Sequence, residues 1–234
     1  MIYVSSDWHG CAIDTVKELF QKAGFSGYDY CFVLGDVIDR GEHGIELLQW
    51  LMMQDNIELL RGNHEEMMLA NKFLFDEINN ETIEKLNGAK LDAARIWLFN
   101  GAKPTIDSLK KLETVEREYI YEYISDTPLY EHIEINDKSY ILTHSGLMNF
   151  DPQKKLTDYS STELLWNRPK ENCIYYQDRI TVFGHTPTIR FGSKYKGKVM
   201  KTETWIDIDT GAVLGGTPML LRLDDMREFY YGGS

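Results

Sequence analysis

Tyr30-Cys31-Phe32-Val33-Leu34-Gly35-Asp36-Val37-Ile38-Asp39-Arg40-Gly41 is the stretch that decides the fold. An apolar run of strand length stops at a glycine, and two carboxylates and a guanidinium follow in the turn. Ile45, Leu48, Leu51 and Met52 then recur at helical spacing. The same phrase stands on either side. Ile2 to Ser5 leads into Asp7-Trp8-His9-Gly10 and a helix with Ile13, Val16, Leu19 and Phe20 inward. Ile57 to Leu60 leads into Gly62-Asn63-His64-Glu65 and a helix through Met68 and Phe75. Strands alternating with helices predict an α/β fold on a βαβαβ core, its parallel strands covered by helices.

Further along the pattern changes. Residues 70–130 alternate charged and apolar residues at helical spacing, punctuated by Gly101 and Pro104. They read as a helical insertion that either shapes a substrate cleft or packs on the sheet as ordinary helices. After Pro128 the chain is β-rich: Ile133 to Ile135, Tyr140 to Thr143, Thr181 to Phe183, Trp205 to Ile208 and Met219 to Leu223. The sheets are therefore expected to be mixed and sandwiched by helices. With no linker-like stretch, residues 1–223 read as a single catalytic domain and 224–234 as a tail, frayed from Phe229 onward.

The chain has 234 residues, and 25 Lys plus Arg against 37 Asp plus Glu give a net charge of −12. So acidic a surface repels phosphate backbones, and no stable nucleic-acid partner is expected. Cys11, Cys31 and Cys173 show no CxxC spacing, so neither a disulfide framework nor a thiolate zinc site fits. Neither a signal peptide nor an 18-residue apolar run is visible, which predicts a cytoplasmic protein without a membrane partner. With no long apolar stripe left over, a monomer is expected.

The strand ends share one property: each stops at a metal-competent residue, namely Asp7 and His9, Asp36, Asn63, His144 and His185. In open α/β sheets ligands collect at the carboxyl ends of strands, so these residues converge although far apart in sequence. One buried Asp or His alone is more often a hydrogen-bonded structural residue. The set is different: Gly35-Asp36-x-x-Asp39-Arg40-Gly41 alone arises by accident on the order of once in ten thousand chains of this length. Carboxylates, imidazoles and an amide oxygen suit manganese, iron or zinc rather than Cu(I) or an iron–sulfur cluster. Six donors are too many for one catalytic zinc but suit two ions roughly 3.5–4 Å apart sharing a carboxylate, with Asp36 central. Gly192-Ser193-Lys194-Tyr195-Lys196-Gly197-Lys198-Val199 nearly fits a phosphate-binding P-loop, but Val199 replaces the required hydroxyl. It reads instead as a hairpin turn. Its neighbourhood, with Arg190, Lys194, Lys196, Lys198 and Lys201, is either a solvated face or an aid in holding an acidic substrate.

Asp7-Trp8-His9-Gly10, Gly35-Asp36-Val37-Ile38-Asp39-Arg40-Gly41, Gly62-Asn63-His64-Glu65, Thr143-His144-Ser145-Gly146 and Phe183-Gly184-His185-Thr186-Pro187 together resemble the metallophosphoesterase superfamily. Within it the series is similar to the phosphoprotein phosphatase family of Ser/Thr phosphatases, in its small bacterial and phage, lambda-phosphatase-like form. Leu165-Trp166-Asn167-Arg168 and Asp209-Thr210-Gly211-Ala212-Val213 extend the likeness.

The resemblance implies two divalent metal ions, manganese foremost, with iron, zinc or a mixed pair as alternatives. Asp7 and His9 would bind the first, Asp36 would bridge, and Asn63, His144 and His185 would complete the second. It also implies hydrolysis of phosphomonoesters by a hydroxide held between the ions. His64 would be the general acid oriented by Asp39, with Arg40 and Arg168 gripping phosphate oxygens. An Asp partner fixes the tautomer of His64 and favours its imidazolium form. Expected substrates are phosphorylated proteins or peptides and small phosphoesters. The alternative is a symmetrical dinucleoside tetraphosphate hydrolase or another metallophosphoesterase acting on nucleotides or RNA ends. That tetraphosphatase group tends to carry Ala at the position of Asp39 and Asp at that of Glu65, which favours the phosphatase.

Overall fold

The computed structural model describes residues 1–77 and 79–232. Strands β1 (Ile2–Ser5), β2 (Tyr30–Val33) and β3 (Ile57–Leu59) are parallel neighbours, with Ile2 opposite Tyr30 and Cys31 opposite Ile57. Helices α1 (Ile13–Ala23) and α2 (Gly44–Leu51) connect them, as the alternating pattern predicts. Strands β9 (Met219–Arg222) and β10 (Arg227–Tyr230) extend this sheet antiparallel, giving the order β10-β9-β1-β2-β3. A second sheet, ordered β4-β5-β6-β8-β7, has β5 (Lys138–Thr143), β6 (Ile180–Phe183) and β8 (Trp205–Asp207) parallel. Strands β4 (Tyr130–Ile135) and β7 (Met200–Lys201) flank them antiparallel. Both sheets are mixed.

Side chains alternate across each strand, and that alternation assembles the molecule. Val4, Phe32, Leu34 and Leu60 from the first sheet meet Tyr140, Leu142, Val182 and Ile206 from the second, so the two sheets pack face to face. Tyr3, Cys31, Val33, Ile57 and Leu59 point the other way, into the core beneath the helices. Ile141, Phe183 and Trp205 carry the outer face of the second sheet against Leu147, Tyr159, Leu164 and Tyr175.

Helix α3 (Asn63–Ala70) begins at Asn63 itself and stops at Ala70; a separate 3₁₀ turn, Lys72–Phe75, carries the chain on to Phe75. The insertion comprises α4 (Asn80–Glu84), α5 (Gly88–Phe99), α6 (Lys103–Leu109) and α7 (Thr114–Asp126). Trp97, Leu109, Ile120 and Ile124 join the core on the helical side of the first sheet. The last helix, α8 (Ser161–Leu165), starts at a Ser160 cap whose hydroxyl accepts from Glu163 N.

Two sequence expectations give way here. Phe229 and Tyr230 are not frayed, because β10 pairs with β9 along its whole length and Phe229 is buried. The lysine-rich 192–199 segment is no hairpin turn. It follows one 3₁₀ turn, Thr188–Phe191, and forms another, Ser193–Tyr195, while β6 pairs with β5 and β8 rather than with β7. Among the described residues, no helix is long and apolar enough to cross a membrane.

Candidate metal centre

All six parallel strands of the two sheets end on one side of the sandwich, and each delivers polar side chains there. β1 runs into Asp7 and His9, β2 into Asp36, β3 into Asn63 and His64, β5 into His144, and β6 into His185. β8 adds Asp209, a buried carboxylate that the sequence reading noted only as part of a motif. The turns are tight. Asp7, His9, Asp36, Asp39, Arg40 and His185 all have φ between 43° and 69°, a region that residues other than glycine rarely occupy. Each such residue costs about 1–3 kcal/mol and persists only where its surroundings hold it. Gly184 passes so close to Asp7 that a Cβ there would overlap both Asp7 Oδ2 and the Ser6 hydroxyl.

Asp36 lies at the centre with its two oxygens facing different groups. Oδ2 is 3.6 Å from His9 Nε2 and 3.8 Å from His64 Nε2, while Oδ1 is 3.4 Å from His144 Nε2. Asp7 Oδ1 is 3.8 Å from His9 Nε2, and Asp7 Oδ2 accepts from His185 N at 2.9 Å. On the other side Asn63 Oδ1 is 2.8 Å and His185 Nδ1 3.2 Å from His144 Nε2. Two donor groups result, His9–Asp36–His64 and Asp36–His144–His185, each with donor atoms within 4.8 Å and both sharing Asp36.

The chemistry of these donors fits cations. His9 Nδ1 lies 3.2 Å from Ile38 O and His144 Nδ1 2.7 Å from Leu34 O, contacts that place the ring proton on Nδ1. The His144 Nε2 lone pair then faces Asp36 Oδ1, Asn63 Oδ1 and an imidazole nitrogen, while His9 Nε2 is met by the Arg40 guanidinium on one side. Lone pairs repel across such distances unless a positive charge lies between them. Burial holds the imidazoles of His9, His144 and His185 below their ordinary range, in the neutral form that binds metal. Burial and the neighbouring Asp7 and Glu65 push Asp36 well above the usual carboxylate range, a cost that bound cations remove. His185 Nε2 is buried without a hydrogen-bond partner.

Glu65 holds the turn that carries Asp36. Its carboxylate accepts from Asp36 N (2.8 Å), Gly62 N (2.9 Å), Val37 N (2.9 Å) and, at 3.3 Å, Ile38 N. Asp36 Oδ1 in turn accepts from His64 N at the first turn of α3, where the helix dipole favours negative charge.

His64 Nδ1 lies 2.6 Å from Asp39 Oδ2, as expected, and the pair is buried. The insertion supplies what the sequence reading missed. Trp97 Nε1 donates to Asp39 Oδ2 at 2.8 Å, Thr105 Oγ1 accepts from Asp39 N at 3.0 Å, and Gly101 O accepts from Arg40 N at 2.9 Å. Helical periodicity reports only packing, so nothing in the sequence marks these three. Burial pushes Asp39 up to about 7, with Thr105 and Trp97 beside it acting the other way. It also holds His64 well below the ordinary histidine range, with Arg40 adding to the effect. One proton shared in the short His64–Asp39 contact satisfies both tendencies. Asp39 faces Nδ1, the contact expected to fix the tautomer of His64, while burial and Arg40 act against a charge on the ring.

Arg40 sets one guanidinium nitrogen 3.0 Å from His9 Nε2 and the other 3.2 Å from His64 Nε2. Arg168 is anchored through its donation to His185 O at 2.6 Å. Both line a cavity of about 340 Å³ above the donors, with Asn100, Trp166 and Arg190 at its walls. A larger open hollow of about 970 Å³, beside Tyr130, Phe150 and Tyr176, contains none of these donors.

Two cation sites sharing one carboxylate at the strand ends of a double-sheet α/β fold define a dinuclear metal-dependent phosphoester hydrolase. The chain belongs to the calcineurin-like phosphoesterase family, whose model matches residues 1–216. It is 23% identical to the symmetrical bis(5'-nucleosyl)-tetraphosphatase of Buchnera aphidicola subsp. Baizongia pistaciae, over 97% of this chain and 96% of that one. It is 25% identical to serine/threonine-protein phosphatase 1 of Salmonella typhimurium, over 95% of this chain and 91% of that one. The fold resembles a protein serine/threonine phosphatase structure from Saccharomyces cerevisiae, with a TM-score of 0.57, 18% identity, and coverage of 100% of this chain and 80% of the other.

Proposed function

We propose that this chain hydrolyses phosphoserine and phosphothreonine monoesters in proteins. The observation that carries the reading is the Asp39 carboxylate 2.6 Å from His64 Nδ1, buried and braced by Trp97 and Thr105. A serine or threonine alkoxide is strongly basic and leaves only with a proton, so a positioned imidazole is what this reaction needs. Asp39 also stands where the tetraphosphatase group tends to carry alanine.

Asp7 and His9 would hold one divalent ion and Asn63, His144 and His185 the other, with Asp36 between them. Bound there, such ions supply phosphate binding, charge neutralisation and a water acid enough to act as nucleophile near neutral pH. The protein's own groups do the rest. Arg40 and Arg168 match phosphate oxygens and stabilise charge on the transferring group. A phosphate dianion against Arg40 relieves the positive field on His64, so a second proton is held at Nε2 when substrate is present. From Nε2 it passes to the leaving oxygen, while Asp39 keeps the ring aligned.

The competing reading, symmetrical dinucleoside tetraphosphate hydrolysis, is favoured by the end-to-end similarity to the Buchnera tetraphosphatase. A manganese-supplemented turnover panel separates the two, comparing phosphoserine peptide, phosphotyrosine peptide, diadenosine tetraphosphate and a 2',3'-cyclic nucleotide. The phosphatase reading expects phosphoserine peptide to give the highest kcat/KM. A tetraphosphate preference of tenfold or more would overturn it.

A further inference from the structure

Of the basic residues that follow His185, only Arg190 reaches the metal cavity. Lys201 is tied to Glu228 at 2.6 Å, and Lys194 lies over the Tyr195 ring, 4.6 Å from its centroid. Arg190 sits in the 3₁₀ turn Thr188–Phe191, fixed by donation from its own backbone amide to Pro187 O at 2.8 Å. Among the described residues its guanidinium has no ion-pair partner, although the chain carries an excess of twelve negative charges. Arg190 and Arg168 line the same cavity. Arg40 and Arg168 already line the cavity where a phosphate would bind, each anchored from within the protein. A third guanidinium lining the same cavity, without an ion-pair partner, adds positive charge that one phosphate does not need. Guanidinium groups that face one cavity repel each other, and an incoming anion relieves that repulsion.

We propose that Arg190, which lines the same cavity as Arg168, forms a subsite for a second anionic group of the substrate, adjacent to the phosphate that is cleaved. The inference rests on the reading of the cavity as a phosphate-cleaving centre. In a phosphopeptide the second anion is an aspartate or glutamate near the phosphorylated residue; in a nucleotide polyphosphate it is the next phosphate. Either pairs with a guanidinium through the same charge-assisted hydrogen bonds.

The test compares ratios of kcat/KM, so that any general loss in a variant cancels. Phosphoserine peptides differing only by aspartate or asparagine beside the phosphoserine form one pair. Diadenosine tetraphosphate and p-nitrophenyl phosphate form the other. The wild-type protein is expected to prefer the aspartate peptide by about three- to fivefold, the scale of a partly exposed ion pair. Arg190→Ala should bring that ratio close to one through KM, and Arg190→Glu should invert it toward a lysine-bearing peptide. A comparable fall in the tetraphosphate ratio would assign the subsite to a neighbouring phosphate instead. If both ratios stay within twofold of wild type in Arg190→Ala, the subsite is refuted. Absence of phosphopeptide turnover in the wild type would sink the phosphoprotein reading alone, because the nucleotide pair still decides the role of Arg190.

Discussion

His64 is pulled two ways: Asp39 accepts on one side of the ring, while Arg40 presses on the other and burial opposes any net charge. Such a residue matters where the leaving group needs its proton and little where it does not. His64→Asn keeps the size of the ring nitrogen side chain but cannot deliver a proton. It should lower kcat on phosphoserine peptide by about 10²–10⁴-fold, the usual range for general-acid catalysis. On p-nitrophenyl phosphate, whose leaving group departs unaided, the loss should be at most a tenth as large. Metal content measured by atomic emission should stay the same. Equal losses on the two substrates would show that His64 acts by holding metal or phosphate rather than by giving a proton. Its Nε2, 3.8 Å from Asp36 Oδ2, makes that a real alternative.

At the scale of elements, the sequence is legible where one short segment carries both the fold signal and the chemistry. Each apolar run ending at Asp7, Asp36, Asn63, His144 or His185 names its strand and its donor together, and the structure brings these donors to one place. The supports are not legible, because they come from elements whose own pattern serves another purpose. Trp97 and Thr105 sit on α5 and α6, where their spacing reads as core packing, yet both bond to Asp39 more than fifty residues away. β10 escaped notice because an edge strand with Arg227 and Glu228 is defined by its backbone pairing to β9, not by alternation. Thr105→Val tests the support directly. The side chain keeps its shape, but buried Asp39 N loses its acceptor, which costs about 1–3 kcal/mol. Urea unfolding should show a loss in that range, together with a lower kcat as Asp39 loosens. A variant as stable as the wild type would mean that the insertion merely covers the sheet.

For the whole molecule, the centre is a concentration of buried charge that folding must tolerate. Asp36, Asp207 and Asp209 are raised well above the usual carboxylate range, first by burial and then by neighbouring carboxylates. A carboxyl whose pKa is raised on folding binds more protons in the folded state than in the unfolded one. Its contribution to stability therefore declines as pH rises from the unfolded value of 3.8 toward the folded one. The buried His9, His64, His144 and His185 work in the opposite sense. Their lowered values make the folded state bind fewer protons, so their contribution is lost as pH falls below about 6.5 and is constant above it. Between pH 6.5 and 8 the histidine contribution is constant, and any remaining slope comes from carboxyls still protonated there. Protein stripped with EDTA should thus lose unfolding free energy across that interval, by about 1.4 kcal/mol per pH unit for each carboxyl still protonated in the folded state. Saturating manganese should flatten the slope, because ions bound between Asp7, Asp36 and the histidines stabilise the ionised carboxylates and bind only the folded chain. Urea midpoints at three pH values, with chelator and with manganese, decide the matter. A chelated protein whose stability holds or rises from pH 6.5 to 8, or a slope that manganese leaves unchanged, would mean that these carboxylates are not held protonated by one another in the absence of metal.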